Sequence, residues 1–382
     1  MTRAVRVLVV DDSVVVRRLV TRLLDEDPGI EVAGVAADGR RALAVLPQVH
    51  PDVVVLDVEM PELDGLATLA AIRERHPHVR VIMFSSLTER GAATTLEALA
   101  LGASDYVTKP PALSPSDAVL DEVREQLVTK VRVLGDRSER ARAGAGAPPA
   151  RGWQAGPARP VGPVPAAAAP RHRAERVEVV AVGSSTGGPN ALGELLAGLP
   201  ADFPAPVLIV QHMPPLFTRM LAERLDAGCP LTVAEAVPGA ELRPGEVWLA
   251  PGGRHLLVER QAGVVRLATS QAPPENSCRP SVDVLFRSVS AAYGDAALGV
   301  VLTGMGRDGV AGSAALRAGG GQVLVQDKAS SVVWGMPGLV AEAGMADQVV
   351  PLDQLAAELC RRVRPDGRAR AALRLLGGEQ AT

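Results

Sequence analysis

Residues 5–13 read VRVLVVDDS, a valine-rich run that ends in two aspartates and a serine, and this pattern decides the fold. A helix-like amphipathic segment follows it. The same combination recurs further along the chain, at EVAGVA, DVVVL, RVIMF and DYV. Short apolar runs that alternate with amphipathic segments predict parallel strands joined by helices. We therefore expect residues 1–134 to form a doubly wound α/β domain.

A second α/β domain is predicted where the alternation resumes, at VEVVAVG, APVLIVQ and ALGVVLTG. Residues 176–366 are expected to form this domain around another doubly wound parallel sheet. Within it, the short runs of residues 231–270 are typical of an antiparallel hairpin insertion. Residues 135–175 are rich in Ala, Arg, Gly and Pro and predict a linker, because they bury little apolar surface. Residues 367–382 are expected to be a C-terminal tail.

Composition excludes several classes of function. A net charge of -3 over 382 residues gives no electrostatic footprint for nucleic acid. The three cysteines, Cys229, Cys278 and Cys360, form no CxxC pair, so their spacing supports neither a disulfide framework nor a zinc site. No apolar run approaches the roughly 18 residues that a membrane span needs, and Arg6 interrupts the opening run. We expect a cytoplasmic protein that is not inserted in a membrane.

Three aspartates are expected to meet in the first domain. In the flavodoxin-like strand order 2-1-3-4-5, strands 1 and 3 are neighbours, and ligands bind beyond their carboxyl ends. Asp11 and Asp12 follow strand 1 and Asp57 ends strand 3. An all-oxygen cluster of this kind favours Mg²⁺. Ser85 and Lys109, one of only three lysines in the chain, follow the last two strands and could hold a phosphoryl group on Asp57.

Read singly, each of these aspartates is equally typical of a loop or a helix N-cap. Together, the motifs VLVVDDS, VVVLDVEMPELDGL, MFSS and DYVTKP closely resemble the receiver domains of response regulators, from residue 5 to about residue 124. The resemblance implies that a histidine kinase phosphorylates Asp57. It implies that Mg²⁺ is held by Asp11, Asp12, Asp57 and the backbone carbonyl of Glu59. It also implies a conformational switch carried by Ser85, Tyr106 and Lys109.

The segment AVGSSTGGPNAL places Ser184 and Ser185 in a glycine-rich turn between a strand and a helix. Amide groups at such a helix start stabilise anions. A phosphate-binding loop is one alternative, although GxGxxG is absent and no GK[ST] follows. A serine that only caps the helix is another. A serine nucleophile would also require a base.

Two histidines of the second domain are candidates for this base. His212 directly follows a strand, at the edge where sites on parallel sheets assemble, whereas His255 lies in the predicted hairpin and is expected to be structural or exposed. Asp308, in the TGMGRDG segment, also follows a strand end. It would accept a hydrogen bond from the imidazole and stabilise the imidazolium. The alternative for Asp308 is a helix N-cap.

The motifs GSSTGG, QHMPPLFTRMLAERL, LAPGG, RPSVDVLF and LTGMGRDG together resemble the chemotaxis methylesterase (CheB) family. This resemblance implies hydrolysis of γ-glutamyl methyl esters on chemotaxis receptors, with release of methanol, and deamidation of particular receptor glutamines, with no cofactor for the esterase reaction. By position it implies a triad of Ser185, His212 and Asp308. It also makes the Met305 amide a candidate oxyanion donor and Thr186 a weaker one. The chain departs from the family at Ser184, where alanine is usual.

Two other classes of protein are alternatives to a methylesterase. A transcriptional response regulator would carry a helix-turn-helix output, but the second half of the chain has an α/β pattern. A catalytically inactive receiver-adaptor, acting as a phosphoryl sink or a receptor-binding module, is the alternative that the sequence leaves open.

Overall fold

The computed structural model describes residues 3–110, 116–145 and 177–363. Their contacts form two compact units, one within residues 1–84 and 107–172 and the other within residues 85–106 and 173–382. In the described part of the chain, no helix combines the length and the apolar surface that crossing a membrane requires.

The first sheet has five strands in the order β2-β1-β3-β4-β5, which is the predicted flavodoxin-like order. The strands are β1 Val5–Val10, β2 Ile30–Ala36, β3 Val53–Asp57, β4 Arg80–Ser85 and β5 Asp105–Thr108. The helices are α1 Val14–Asp25, α2 Gly39–Val49, α3 Gly65–Arg75, α4 Glu89–Ala100 and α5 Asp117–Ala145. Strand β3 is buried along its whole length, because a parallel sheet is covered by helices on both faces.

Four of these helices begin at a side chain that caps a backbone amide. The caps are Ser13 for α1, Asp38 for α2, Asp64 for α3 and Thr88 for α4. Each accepts a hydrogen bond from an amide in the first turn, which satisfies a donor that the helix leaves free. Asp11, Asp12 and Asp57 are not among these caps, so none of the three is the N-cap of these four helices.

Helix α5 is longer than the sequence predicted. It continues to Ala145, so residues 135–145 of the predicted linker are helical. These residues include three arginines, three alanines and one glutamate, which are strong helix formers. The low apolar content that indicated a linker does not disfavour a helix. The rest of the predicted linker, residues 146–175, and the predicted tail, residues 367–382, lie outside the described residues.

The second sheet has seven strands in the order β14-β13-β12-β6-β7-β9-β8, all paired in parallel. The strands are β6 Val179–Ser184, β7 Val207–Gln211, β8 Thr232–Glu235, β9 Glu246–Leu249, β12 Ala297–Val301, β13 Gln322–Gln326 and β14 Gln348–Val350. The helices are α6 Gly188–Ala197, α7 Pro215–Gly228, α8 Val282–Tyr293, α9 Val310–Ala318, α10 Met336–Glu342 and α11 Leu352–Val363. Two α/β folds with parallel sheets are therefore confirmed.

The hairpin insertion is present but narrower than predicted. Strands β10 His255–Gln261 and β11 Val264–Ser270 pair antiparallel, joined by Ala262 and Gly263, both with positive φ as a two-residue hairpin turn requires. Strands β8 and β9, also within residues 231–270, instead extend the main sheet in parallel. Short apolar runs of this kind indicate strands but carry no information on their pairing direction.

The strand register of the second sheet brings several loop residues to one edge. Ser184 pairs with Gln211 across β6 and β7, and Gly183 pairs with Val301 across β6 and β12. The carboxyl ends of these three neighbouring strands therefore lie side by side. Parallel α/β sheets bind ligands at this edge, and Ser185 and His212 are the first residues beyond it.

Candidate active site

The two adjacent serines have different environments. Ser184 is fully buried, and its hydroxyl donates a hydrogen bond to Oε1 of Gln211 at 2.7 Å. The Gln211 amide in turn donates to the backbone carbonyl of Ser185 at 3.0 Å. Ser185 itself is partly exposed. Of the two serines, only Ser185 is accessible to solvent.

Ser185 lies just before the amino end of helix α6. Gly187 caps this helix with a φ of 77°, a left-handed conformation that glycine adopts without steric cost. The Gly188 amide donates to the Ser185 carbonyl at 2.8 Å, which closes the turn. The positive end of the α6 dipole therefore faces the region of the Ser185 hydroxyl.

His212 and Asp308 form a hydrogen-bonded pair. Nε2 of His212 lies 2.8 Å from Oδ2 of Asp308, and the two side chains are 13% and 2% exposed. Because a carboxylate only accepts hydrogen bonds, Nε2 carries the proton. Nδ1 then holds the lone pair, and it faces Sγ of Cys278 at 3.6 Å.

The Asp308 carboxylate sits at the amino end of helix α8. It accepts hydrogen bonds from the amides of Val282 at 2.7 Å and Asp283 at 3.0 Å, and from the Ser281 hydroxyl at 2.8 Å. Burial acts to raise the pKa of Asp308, but the hydrogen bond and charge of His212, together with these amides, lower it to about 2. Asp308 is therefore ionised at neutral pH. Its contacts resemble those of an N-cap, but they satisfy amides of α8 and not those of α9, the helix that follows Asp308 in the sequence.

The pKa of His212 responds to two opposing influences. Burial acts to lower it, while the hydrogen bonds to Asp308 and Cys278 act to raise it and prevail. A histidine that takes a proton from a nucleophile must be stable as an imidazolium during the reaction. The same interactions with Asp308 would stabilise the imidazolium that forms when Nδ1 accepts a proton.

Ser185 and His212 are neighbours through the sheet. The His212 amide donates to the Ser184 carbonyl at 3.2 Å, as the parallel register requires. Within the described part of the chain, no hydrogen bond joins the Ser185 hydroxyl to the imidazole. Catalytic hydrogen bonds are often long in substrate-free enzymes and tighten when substrate binds. Since Nε2 is held by Asp308, Nδ1 is the nitrogen that remains for proton transfer.

The loop after β12 approaches Ser185 closely at Gly304. A Cβ atom there would lie 2.9 Å from Cβ of Ser185 and 2.4 Å from Sδ of Met336, so the position requires glycine. The Gly304 carbonyl accepts from the amides of Gly335 and Met336 at 3.1 and 2.8 Å, which fixes the loop. The amide of the next residue, Met305, donates no hydrogen bond to the part of the chain that the structure describes.

Thr186, the weaker oxyanion candidate, is buried and already occupied. Its hydroxyl donates to Oδ2 of Asp105 at 2.6 Å, and its carbonyl accepts from the Thr303 hydroxyl at 2.9 Å. Both contacts lie within the second compact unit, to which residues 85–106 belong. The Thr186 hydroxyl is therefore not free in this structure to bind an oxyanion.

Several residues of this site were not predicted from the sequence. Ser281 and Asp283 belong to the RPSVDVLF motif, but nothing in the motif indicated that they donate hydrogen bonds to Asp308. Asn276 donates to Oδ1 of Asp308 at 3.2 Å, from a loop without a recognisable pattern. His255 is only 1% exposed, with its Nδ1 accepting from the Ser281 amide at 3.2 Å. Of the two roles predicted for His255, the structural one is therefore confirmed and the exposed one is wrong.

The first unit contains the predicted carboxylate cluster. Oxygens of Asp11, Asp12 and Asp57 all lie within 4.8 Å of one another, and Nζ of Lys109 is 2.8 Å from Asp11 and 2.8 Å from Asp57. Burial and the neighbouring Asp11 raise the pKa of Asp57 to about 6, against the opposing effect of Lys109. This all-oxygen set with uncompensated negative charge fits Mg²⁺. Glu59 contributes an amide that donates to Asp57 at 3.4 Å.

The other two predicted switch residues, Ser85 and Tyr106, fall in the second unit. The Ser85 hydroxyl donates to the Gly91 carbonyl at 3.1 Å. The Tyr106 side chain is buried, with its ring stacked on that of Phe217 in α7 at a centroid distance of 4.7 Å.

Known protein families match both halves of the chain. Residues 180–359 match the family model "CheB methylesterase", and residues 7–117 match "Response regulator receiver domain". A protein-glutamate methylesterase/protein-glutamine glutaminase of Trichodesmium erythraeum is 50% identical over 358 residues, 94% of this chain and 99% of the relative. One from a Nocardioides species is 51% identical over 362 residues, 94% and 95% of the two chains.

Among solved structures, the chain is similar to the Thermotoga maritima CheB methylesterase catalytic domain. That match has 43% identity and a TM-score of 0.48, and covers 48% of this chain and 98% of the other. The family models and the full-length relatives carry the assignment. The chain belongs to the CheB methylesterase family, as a member with a receiver domain, and is a hydrolase.

Proposed function

We propose that this protein demethylates glutamate methyl esters on methyl-accepting chemotaxis receptors, releases methanol, and deamidates specific receptor glutamines to glutamate. These reactions give chemotactic adaptation, and phosphorylation of Asp57 activates them. The observation that carries the proposal is the Ser185 hydroxyl, partly exposed at the start of α6, beside the hydrogen-bonded pair of His212 and Asp308. The names of the full-length relatives point to the same substrates.

In the proposed mechanism, the Ser185 hydroxyl attacks the ester carbonyl and Nδ1 of His212 takes its proton. Asp308 keeps the ring oriented through Nε2 and stabilises the imidazolium. The proton then passes to the leaving methoxy group, methanol departs, and an acyl-enzyme remains. Water, deprotonated by the same nitrogen, hydrolyses the acyl-enzyme to glutamate. A glutamine substrate follows the same steps with ammonia as the leaving group.

Both steps form an oxyanion that requires hydrogen-bond donors. The amide of Met305 is the better candidate, because its position is fixed by Gly304 beside Ser185 and it has no other acceptor among the described residues. The α6 dipole would add to this stabilisation. The Thr186 hydroxyl is a weaker donor while Asp105 engages it.

The two serines allow a matched test of the nucleophile. Loss of the nucleophile in a comparable serine hydrolase costs on the order of 10⁶ in turnover, so Ser185→Ala should abolish methanol release from methylated receptor. Ser184→Ala leaves Oε1 of Gln211 without its hydrogen-bond donor inside the core, which should cost about 1–3 kcal/mol of stability but little turnover. The opposite ranking would overturn the choice of nucleophile. A folded wild-type protein that releases no methanol would favour the inactive receiver-adaptor.

The regulatory part of the proposal concerns residues 85–106. We propose that this segment covers the approach to Ser185 until Asp57 is phosphorylated, and that Ser85, Tyr106 and Lys109 transmit the change. Supporting contacts within the second unit are the stacking of Tyr106 on Phe217 and the hydrogen bond from Thr186 to Asp105. The proposed phosphodonor is a chemotaxis histidine kinase acting with Mg²⁺, and the proposed compartment is the cytoplasm.

Acetyl phosphate, a small phosphodonor, tests the regulation directly. It should increase methanol release by the wild-type protein in the presence of Mg²⁺ and leave Asp57→Asn unchanged. Equal stimulation of the two proteins would show that Asp57 does not carry the signal. No stimulation of a phosphorylated wild-type protein would refute activation by phosphorylation while leaving the esterase reaction intact.

A further inference from the structure

Cys278 lies against the catalytic histidine on the side opposite Asp308. Its Sγ is 3.6 Å from Nδ1 of His212. We propose that these two atoms form an inhibitory binding site for a thiophilic divalent cation such as Zn²⁺. Zinc bonds of about 2.05 Å to nitrogen and about 2.3 Å to sulfur, at a tetrahedral angle, separate the two ligand atoms by about 3.6 Å. Both atoms can therefore bind the cation without moving apart.

The other nitrogen of the same ring already has the partner that a metal-bound histidine requires. Metal-ligating histidines almost always donate their second N–H to a carboxylate or carbonyl, which fixes the tautomer and directs the lone pair to the metal. Nε2 of His212 donates to Asp308 at 2.8 Å. The tautomer that serves catalysis is thus the one that leaves Nδ1 ready to coordinate. One ligand atom from each of His212, Cys278 and Asp308 lies within 4.8 Å of the others.

The thiol is held in place by a tight turn. Glu275 and Cys278 exchange backbone hydrogen bonds of 3.1 and 2.9 Å, and the two residues between them, Asn276 and Ser277, have φ of 52° and 62°. The Asn276 side chain donates to Asp283 at 2.9 Å and to the Asp308 carboxylate. A ligand that is already oriented by its surroundings loses little entropy when a metal binds.

The charges and the access also suit a divalent cation. His212 and Cys278 are both partly exposed, so a cation can enter and water can complete the tetrahedron. Binding replaces the thiol proton with a metal–sulfur bond, and in molecules with a protonated Nδ1 it replaces that proton with a metal–nitrogen bond, so each displaced proton is released to solvent. The resulting thiolate and the ionised Asp308 together balance the two positive charges. Mg²⁺ prefers oxygen ligands, so the receiver ion and this cation occupy different sites.

Occupation of Nδ1 by a cation removes the base that accepts the Ser185 proton. Zinc is therefore expected to inhibit ester hydrolysis while leaving Asp57 able to be phosphorylated. The inhibition rests on the esterase function proposed above, whereas the binding of the cation does not. An experiment on metal binding alone can thus separate the two proposals.

Cobalt absorption tests the site on the full-length protein. Co²⁺ bound to a thiolate has an intense charge-transfer absorption in the near ultraviolet, which an all-oxygen site cannot produce. With Mg²⁺ in excess, the wild-type protein and Cys229→Ser should both develop this absorption, and Zn²⁺ should remove it. Cys278→Ser and Cys278→Ala should lack it. Cys229 is a suitable control because it is also partly exposed and its thiol donates to the Leu231 carbonyl, away from the site.

Methanol release gives the second measurement, with each protein compared with its own metal-free rate. Loss of a residue that only supports a metal ligand lowers metal affinity by about 10–100-fold. Loss of Cys278, itself a proposed ligand, should therefore make Zn²⁺ inhibit both Cys278 variants at least about tenfold more weakly than wild type and Cys229→Ser. A chelator should restore the wild-type rate. Equal zinc sensitivity of all four proteins, or unchanged cobalt absorption in the Cys278 variants, would overturn the proposal. A wild-type protein with cobalt absorption but no metal-free esterase activity would instead refute the proposed function.

Discussion

Replacing Asp308 by asparagine would test whether the carboxylate charge, rather than its shape, organises the active site. The change keeps the size of the side chain but removes the charge and replaces one acceptor oxygen with an NH₂ donor. Donors from His212, Ser281 and the first amides of α8 all point at this carboxylate. At least one of them must then face another donor, so we expect the imidazole to lose its orientation.

The size of the effect on stability follows from the pKa of Asp308. Its fall from 3.8 to about 2 corresponds to about 2 kcal/mol in favour of the folded, ionised form. Because the folded pKa is the lower one, this contribution is complete above about pH 4 and disappears as the pH falls through about 2. Asp308→Asn should therefore lower the free energy of unfolding at pH 7 by about 2 kcal/mol or more, since donors are also left unpaired.

Urea unfolding followed by tryptophan fluorescence measures this change. Trp248 and Trp334 both lie in the second compact unit, so their emission reports on the unit that contains Asp308. Asp353→Asn, in which an exposed aspartate of the same unit is replaced, controls for the loss of one negative charge. Turnover should fall by about 10⁴, as it does for the same change in a serine protease triad. Unchanged stability together with methanol release within tenfold of wild type would refute the role assigned to Asp308.

Three further predictions concern other parts of the two sites. Asp57→Asn should stabilise the metal-free protein at pH 7 by about 3 kcal/mol. The raised pKa of about 6 means that ionising Asp57 destabilises the folded state as the pH rises from about 4 to 6. Calorimetry in the presence of a chelator measures this gain, and an unchanged stability would contradict the prediction. In Gly304→Ala the added Cβ collides with Met336 and Ser185. Because a displacement near 1 Å at a reacting group costs about 100-fold in rate, turnover should fall at least that much. A normal rate of methanol release would contradict this prediction. Ser281→Ala should cost about 2 kcal/mol in urea unfolding, since it removes a buried hydrogen bond to a charged carboxylate, and an unchanged midpoint would show that the bond contributes little.

The placement of residues at strand ends was predictable, because apolar runs mark parallel strands and such sheets assemble sites beyond their carboxyl ends. This reasoning singled out four residues. The structure places Asp57, Ser185 and His212 at or directly beyond the carboxyl end of a strand, and Asp308 in the loop between β12 and α9. It could not show which hydroxyl is free. That distinction depends on Gln211, which accepts a hydrogen bond from the Ser184 hydroxyl between the neighbouring strands β6 and β7.

Contacts made by irregular segments could not be predicted in the same way. Cysteine spacing gave no indication that a thiol lies against His212. Cys278 reaches the imidazole through a turn whose Asn276 is hydrogen-bonded to Asp283 of α8 and to Asp308, and no repeat in the sequence marks that turn. The pairing direction of β8 and β9 was likewise hidden, since a four-residue apolar run fits either direction. The length of α5 was missed because helix propensity, and not apolar content, extends it.

The position of the Asp308 carboxylate at the amino end of α8 has a consequence for partly folded molecules. The same carboxylate accepts hydrogen bonds from the first amides of α8 and from the His212 imidazole. If the first turn of α8 frays, the carboxylate loses these partners and the imidazole its support, so the two losses occur together. In the proposed mechanism, hydrolysis would therefore be confined to molecules in which this helix is fully formed, and an incompletely folded chain is not expected to attack esters indiscriminately.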